Sequence, residues 1–135
     1  MPDWEKIFKE RLKECLDKLD FVDFREKFNS LKKGGRSLFE QEIMNLLNID
    51  ENSDLHKVIS QVDINVIAML WLTLYMLNSL NVPVRGIKYS RDDTGELNYM
   101  YVVVVVNTFG VAIPIMNPIA ALNFLNFVID LVKKN

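Results

Sequence analysis

Leu97-Asn98-Tyr99-Met100-Tyr101-Val102-Val103-Val104-Val105-Val106, residues 97–106, decides the fold. Five consecutive valines (102–106) are stiff at χ1 and suit a pleated strand better than a helix. Upstream, Asp92-Asp93-Thr94-Gly95-Glu96 has turn chemistry: aspartate side chains accept from local N–H groups, and glycine supplies positive φ. Val84 to Arg91, before that turn, reads as a partner strand. Downstream, Asn107 to Gly110 reads as a second turn and Val111 to Ile115 as a short third strand, with Pro114 marking an edge or a strand end. A three-stranded antiparallel meander is the expectation.

Alternation along 97–106 sends Leu97, Tyr99, Tyr101, Val103 and Val105 to one face and Met100, Val102, Val104 and Val106 to the other. Both faces are apolar, so both need cover. Helices flanking the meander, about 64–80 and 118–133, are placed to cover one face. For the other, either the N-terminal helices or a second copy of the chain must serve.

The helix at 64–80 opens on Asp63 as N-cap, and its middle, Val66 to Leu77, holds twelve residues and no charge. A helix apolar all round is central in a core or spans a membrane. Asp63, Asn65, Thr73, Asn78 and Ser79 bound or interrupt this run, which falls short of the ~20 apolar residues a span needs. A central core helix is expected, and no membrane span. The helix at 118–133 opens on Asn117-Pro118, an N-cap followed by proline at the first helical position. Asn123, Asn126 and Asp130 form its polar stripe, and Lys133 and Lys134 sit where the helix dipole favours cations.

Ahead of these, 3–19 reads as an amphipathic helix with Trp4, Phe8, Leu12, Cys15, Leu16 and Leu19 at helical spacing. Asp20 and Asp23 punctuate. A second helix is expected over about 22–32, with Phe21, Phe24, Phe28 and Leu31 in one stripe, closed by Gly34-Gly35. Ser37-Leu38-Phe39-Glu40 has the pattern of a capping box, opening a helix to about Leu47. Ser53 or Asp54 caps a short helix to about Gln61. The order gives a single α+β domain over 1–135: about five N-terminal helices, a three-stranded antiparallel meander and a C-terminal helix packed on the sheet. Any subdivision falls near Gly34-Gly35 and sets a helical hairpin (1–35) apart.

With 135 residues, half of them apolar and a quarter charged, the chain is long enough for a real core and too apolar for disorder. One cysteine excludes a disulfide scaffold and points to a reducing compartment. Met1-Pro2-Asp3-Trp4-Glu5-Lys6 lacks the basic start and apolar run of a signal peptide, so a cytoplasmic protein is expected. Net charge is −2, which gives no bulk attraction to nucleic acid. Residues 37–66 carry one lysine against six acidic residues.

Few groupings carry chemistry. Asp50-Glu51-Asn52-Ser53-Asp54 opens like a calcium loop, but the sixth position is Leu55 where glycine is needed and the twelfth is Gln61 where a bidentate glutamate is needed. Cys15 and His56 are the only cysteine and histidine, too few for zinc and without a nucleophile elbow. No metal, cofactor or catalytic residue is assigned. Lys32, Lys33 and Arg36, beside Gly34-Gly35 and a helix start, are the best candidates to contact a small anion or a phosphate backbone. Tyr75, Tyr99 and Tyr101, with Asn123 and Asn126 as polar anchors, are the candidates to line an apolar ligand pocket between the sheet and the helices at 64–80 and 118–133.

Three functional readings follow. The first is a non-enzymatic protein-interaction module that self-associates, as a dimer, and acts through a protein partner. It rests on apolar surface beyond what one small sheet can cover. The second is a small-molecule binding or sensing domain using that pocket. The third is a nucleic-acid-associated protein using Lys32, Lys33 and Arg36 with Arg85, Lys88 and Arg91. The acidic 37–66 segment, and Asp92, Asp93 and Glu96 beside the last three cations, weigh against it.

Overall fold

The computed structural model of the chain describes residues 3–19, 23–50 and 52–134. Its centre is the meander: β1 (Val84–Arg91), β2 (Leu97–Val106) and β3 (Phe109–Pro114), antiparallel in the order β1-β2-β3. The first turn works as its sequence suggests. Asp92 Oδ1 accepts from the Thr94 N–H (2.9 Å), the Glu96 N–H (3.0 Å) and the Thr94 hydroxyl. That hydroxyl foremost, with the backbone amides, holds the carboxyl below its usual range.

The second turn is tighter than expected. Residues 109 and 110 belong to β3, and only Asn107 (φ 50°) and Thr108 (φ 72°) make the turn. Two successive residues at positive φ match the right-handed twist of a hairpin, so strand pairing resumes at once, Val106 opposite Phe109.

The two sheet edges differ. β1 slips register between Val84 and Gly86 and again between Ser90 and Arg91, and it carries Arg85, Lys88 and Arg91. β3 pairs without interruption from Phe109 to Pro114 and carries no charge.

One face of the sheet is packed. Met100, Val102, Val104, Val111 and Ile113 are buried there. Against them lies α6 (Pro118–Lys133), which touches β3 and β2 and stands beside α5 (Ile64–Ser79). α5 is the central helix its sequence predicts: nine of its sixteen residues are buried. Each such large aliphatic side chain contributes about 2 kcal/mol. Its one buried hydroxyl, on Thr73, donates to the Met69 carbonyl (2.9 Å). Asp63 caps α5 by accepting from the Asn65 N–H (2.7 Å), and Asn117 caps α6 by accepting from the Ala120 N–H (3.1 Å).

The remaining helices form a second layer on α5 and α6. α1 (Trp4–Leu19) packs on α6; α2 (Phe24–Gly34) packs on α3 (Arg36–Leu47), and α3 on α5. The short α4 (Asp54–Ile59) adjoins α3 and is capped by Ser53, which accepts from the His56 N–H (3.1 Å). The two helices within 1–35 thus pack on different partners, and one cluster of buried residues runs from Cys15 to Ile129. Phe24 and Leu31 of the expected α2 stripe are buried; Phe21 and Asp20 lie outside the described residues.

The capping box at Ser37 does not form. α3 starts two residues earlier, with Gly35 as N-cap and no side-chain cap bond. Gly35, at φ 75°, turns the chain directly from α2 into α3. Glu40 is then taken by Arg36, whose Nε lies 3.0 Å from Oε1. A Cβ on Gly34 would fall 1.8 Å from Leu38 Cδ1, so Gly34 also lets the two helices meet closely.

Among the described residues, the second face of the sheet has no such layer. The N-terminal helices stand behind α5 and α6, and no described helix covers Tyr99, Tyr101, Val103 and Val105.

Candidate functional site

The uncovered face is built from β2 outward. Tyr99, Tyr101, Val103 and Val105 form its ridge, and Tyr99 and Val105 are each 42% exposed. The tyrosine rings stand 5.6 Å apart at 52°. The register sets Ser90, Lys88 and Gly86 of β1 beside the ridge on one side, and Gly110, Ala112 and Pro114 of β3 on the other. Low side chains on the β3 side, and Gly86, Ser90 and the exposed Lys88 on the β1 side, border an aromatic and aliphatic ridge suited to a protein partner, in which tyrosine offers apolar area with a polar tip.

A second exposed apolar surface adjoins it. On α6, Asn126 and Asp130 turn to α1, and Ala121, Leu122, Leu125, Val128 and Ile129 are buried. Phe124 and Phe127 belong to neither set and stay 41% and 47% exposed. Phe109, at the start of β3 on the same side of the sheet, is 56% exposed. None of the three is marked in the sequence as a site. α6 reads as almost wholly apolar apart from one polar stripe, which hides that two of its phenylalanines stay exposed. Phe109 falls in the segment expected to be a turn.

The pocket residues named from sequence are not brought together. Tyr99 and Tyr101 lie on the sheet face turned away from α5 and α6. Tyr75 belongs to an aromatic cluster, its ring 5.0 Å from that of Trp71, with Phe24, Phe28 and Phe39 around the indole. Its hydroxyl donates to Asp23 (2.9 Å); burial first, then this bond to a carboxylate, pushes its pKa up to about 12. Asn126 accepts from Lys18 Nζ (2.6 Å), which also reaches Asp130 (2.8 Å), so this part of the polar stripe ties α6 to α1. Asn123 is exposed.

The anion candidates also separate. Arg36 is committed inward: besides Glu40, it donates through Nη2 to the Ile59 carbonyl (2.6 Å) and so fastens α3 to α4. Lys32 sits with its ammonium 5.0 Å above the Phe28 ring. Lys33 is exposed.

Cys15 is fully buried against α6, its Sγ 3.6 Å from the Leu122 carbonyl, and burial pushes its thiol up to about 11. A thiol so protonated is a poor nucleophile. Asp50 Oδ1 accepts from the Asn52 N–H (2.9 Å), and Ser53 caps α4; Glu51 lies outside the described residues. Among the described residues, no cluster of three or more His, Cys, Asp or Glu side chains gathers at one point, and no helix is long and apolar enough to cross a membrane. A small cleft of about 230 Å³ is lined by Leu46, Leu47, Leu74, Asn78, Val82 and Val84.

No family model, curated protein or solved structure matches the chain.

Proposed function

We propose that this chain is a self-associating protein-interaction module with no catalytic role of its own. The observation that supports it is the one-sided sheet. Tyr99, Tyr101, Val103 and Val105 make an apolar ridge that the chain's own helices leave open, and a strand apolar on both faces needs a partner on the second. Such a surface on a chain of this size is what an association interface supplies.

Native mass spectrometry of the full chain, across protein concentration, tests the reading. A dimer or higher oligomer with no added mass is the expected result. A monomer at every concentration overturns self-association, and a monomer carrying a defined extra mass replaces it with ligand binding.

A further inference from the structure

The geometry points to a particular mode of association: two copies join antiparallel through their β3 edges, and their α6 helices pack side by side over the seam. This rests on the self-association proposed above; it sets the seam between copies at the β3 edge and α6, and leaves the Tyr99–Val105 ridge on the outer face of the dimer for a further partner.

The strand edge carries the first part. The Ile115 N–H donates to the Met100 carbonyl (2.9 Å), and backbone groups along an antiparallel strand alternate in direction. Phe109, Val111 and Ile113 therefore bond to β2, whereas Gly110 and Ala112 turn their N–H and C=O groups off the sheet. Both residues are exposed. A two-fold axis through the middle of β3, at Val111, sets Gly110 opposite Ala112 of the partner subunit, and each N–H meets the other's carbonyl. Pro114 has no N–H to leave unpaired at the strand's end.

The edges are not equivalent, and this selects β3. Open edges are commonly blunted by charges and bulges. β1 has both, with Arg85, Lys88, Arg91 and two register shifts. β3 has neither.

The helix completes the fit. Strands lie about 4.8 Å apart, so helices seated between β2 and β3 of each copy come to rest about 10 Å apart, an ordinary helix-packing distance. α6 touches both strands, as this requires. Its exposed face presents Phe124 and Phe127, and Phe109 lies on the same side of the sheet, at 41%, 47% and 56% exposure. At about 200 Å² per aromatic side chain, these three offer roughly 300 Å². A standard interface buries about 800 Å² per partner, so they supply over a third before the strand is counted.

Sedimentation across protein concentration, on the full chain and three variants with folding checked by circular dichroism, tests this. Ala112→Pro removes an outward N–H that β2 does not use, and Phe127→Lys charges the helix face. Val105→Lys charges the outer sheet face. The expected result is a wild-type dimer whose Kd rises about 30-fold or more in Ala112→Pro and in Phe127→Lys, and by less than about 3-fold in Val105→Lys. A dimer lost in Val105→Lys but kept in Phe127→Lys overturns the edge mode and leaves self-association standing, through the sheet face. A wild-type monomer at all concentrations overturns both.

Discussion

The alternation along β2 allows a quantitative test, made by replacing each valine from 102 to 105 in turn with threonine. The swap keeps shape and β-branching and exchanges one methyl for a hydroxyl. Val102 and Val104 are fully buried. β2 is the central strand, so its ladder bonds run on both sides, and a new hydroxyl at either site enters the apolar core. An unpartnered buried hydroxyl costs about 1–3 kcal/mol, so about 2 kcal/mol is expected at each of these two sites. Val103 and Val105 face the open side, and their changes should stay within about 0.5 kcal/mol. Urea unfolding followed by circular dichroism resolves the difference: with a slope of about 2 kcal/mol per molar, the buried pair lose about 1 M in midpoint and the outer pair almost nothing. Losses at 103 and 105 equal to those at 102 and 104, and independent of protein concentration, would refute the one-sided sheet. A loss at Val105 that grows with protein concentration instead reports contact between copies.

Other positions give sharper single tests. Among the described residues, Trp71 Nε1 is buried without an acceptor. Trp71→Phe, which removes that donor, should therefore cost within about 1 kcal/mol, and Trp71→Ala, which opens a cavity among four rings, about 4 kcal/mol; similar urea midpoints for the two variants would contradict this. Thr108 is β-branched at φ 72°, a left-handed conformation that costs a side-chain-bearing residue about 1–2 kcal/mol, so Thr108→Gly should gain about 0.5–1 kcal/mol after glycine's extra backbone entropy. A lower melting temperature for that variant would assign the side chain a contact. Tyr75, shifted from 10.0 to about 12, holds its proton more tightly folded than unfolded, so its contribution is complete below pH 10 and is lost as pH rises from 10 toward 12. Tyr75→Phe should flatten that alkaline loss, and an unchanged profile would place its cause elsewhere.

The elements whose signal is local were legible in the sequence. The valine run, the caps at Asp63 and Asn117, and the charge-free α5 each follow from side-chain chemistry within a few residues, and the structure places β1 and β2 at the expected ends. Two local signals misled because a neighbour decided the matter. The Ser37 capping box lost Glu40 to Arg36, which is itself held by a carbonyl of α4. The second hairpin turn closed on Asn107 and Thr108 because pairing with β2 extends β3 to Phe109, although threonine is a poor residue for positive φ. The exposed surfaces were least legible. Hydrophobic patterning shows that Phe124 and Phe127 are apolar, but only the positions of α1, α5 and β3 around α6 leave them exposed. Tyr99 and Tyr101, expected beside α5 and α6, lie on the outer face, since an alternating strand does not say on which side the helices stand.

The packing of α1 on α6 has a consequence for how the chain is made. The Lys18–Asp130 and Cys15–Leu122 contacts join residues 112 and 107 apart in sequence. During vectorial synthesis α1 therefore leaves the ribosome long before its partner exists, and its Phe8, Leu12 and Cys15 stripe must wait exposed while the middle of the chain collapses. Docking of the first helix is the last long-range step to become possible, and it can occur only after α6 has emerged. A ribosome stalled between the meander and α6 would hold a nascent chain whose leading helix has no seat, a natural target for a chaperone.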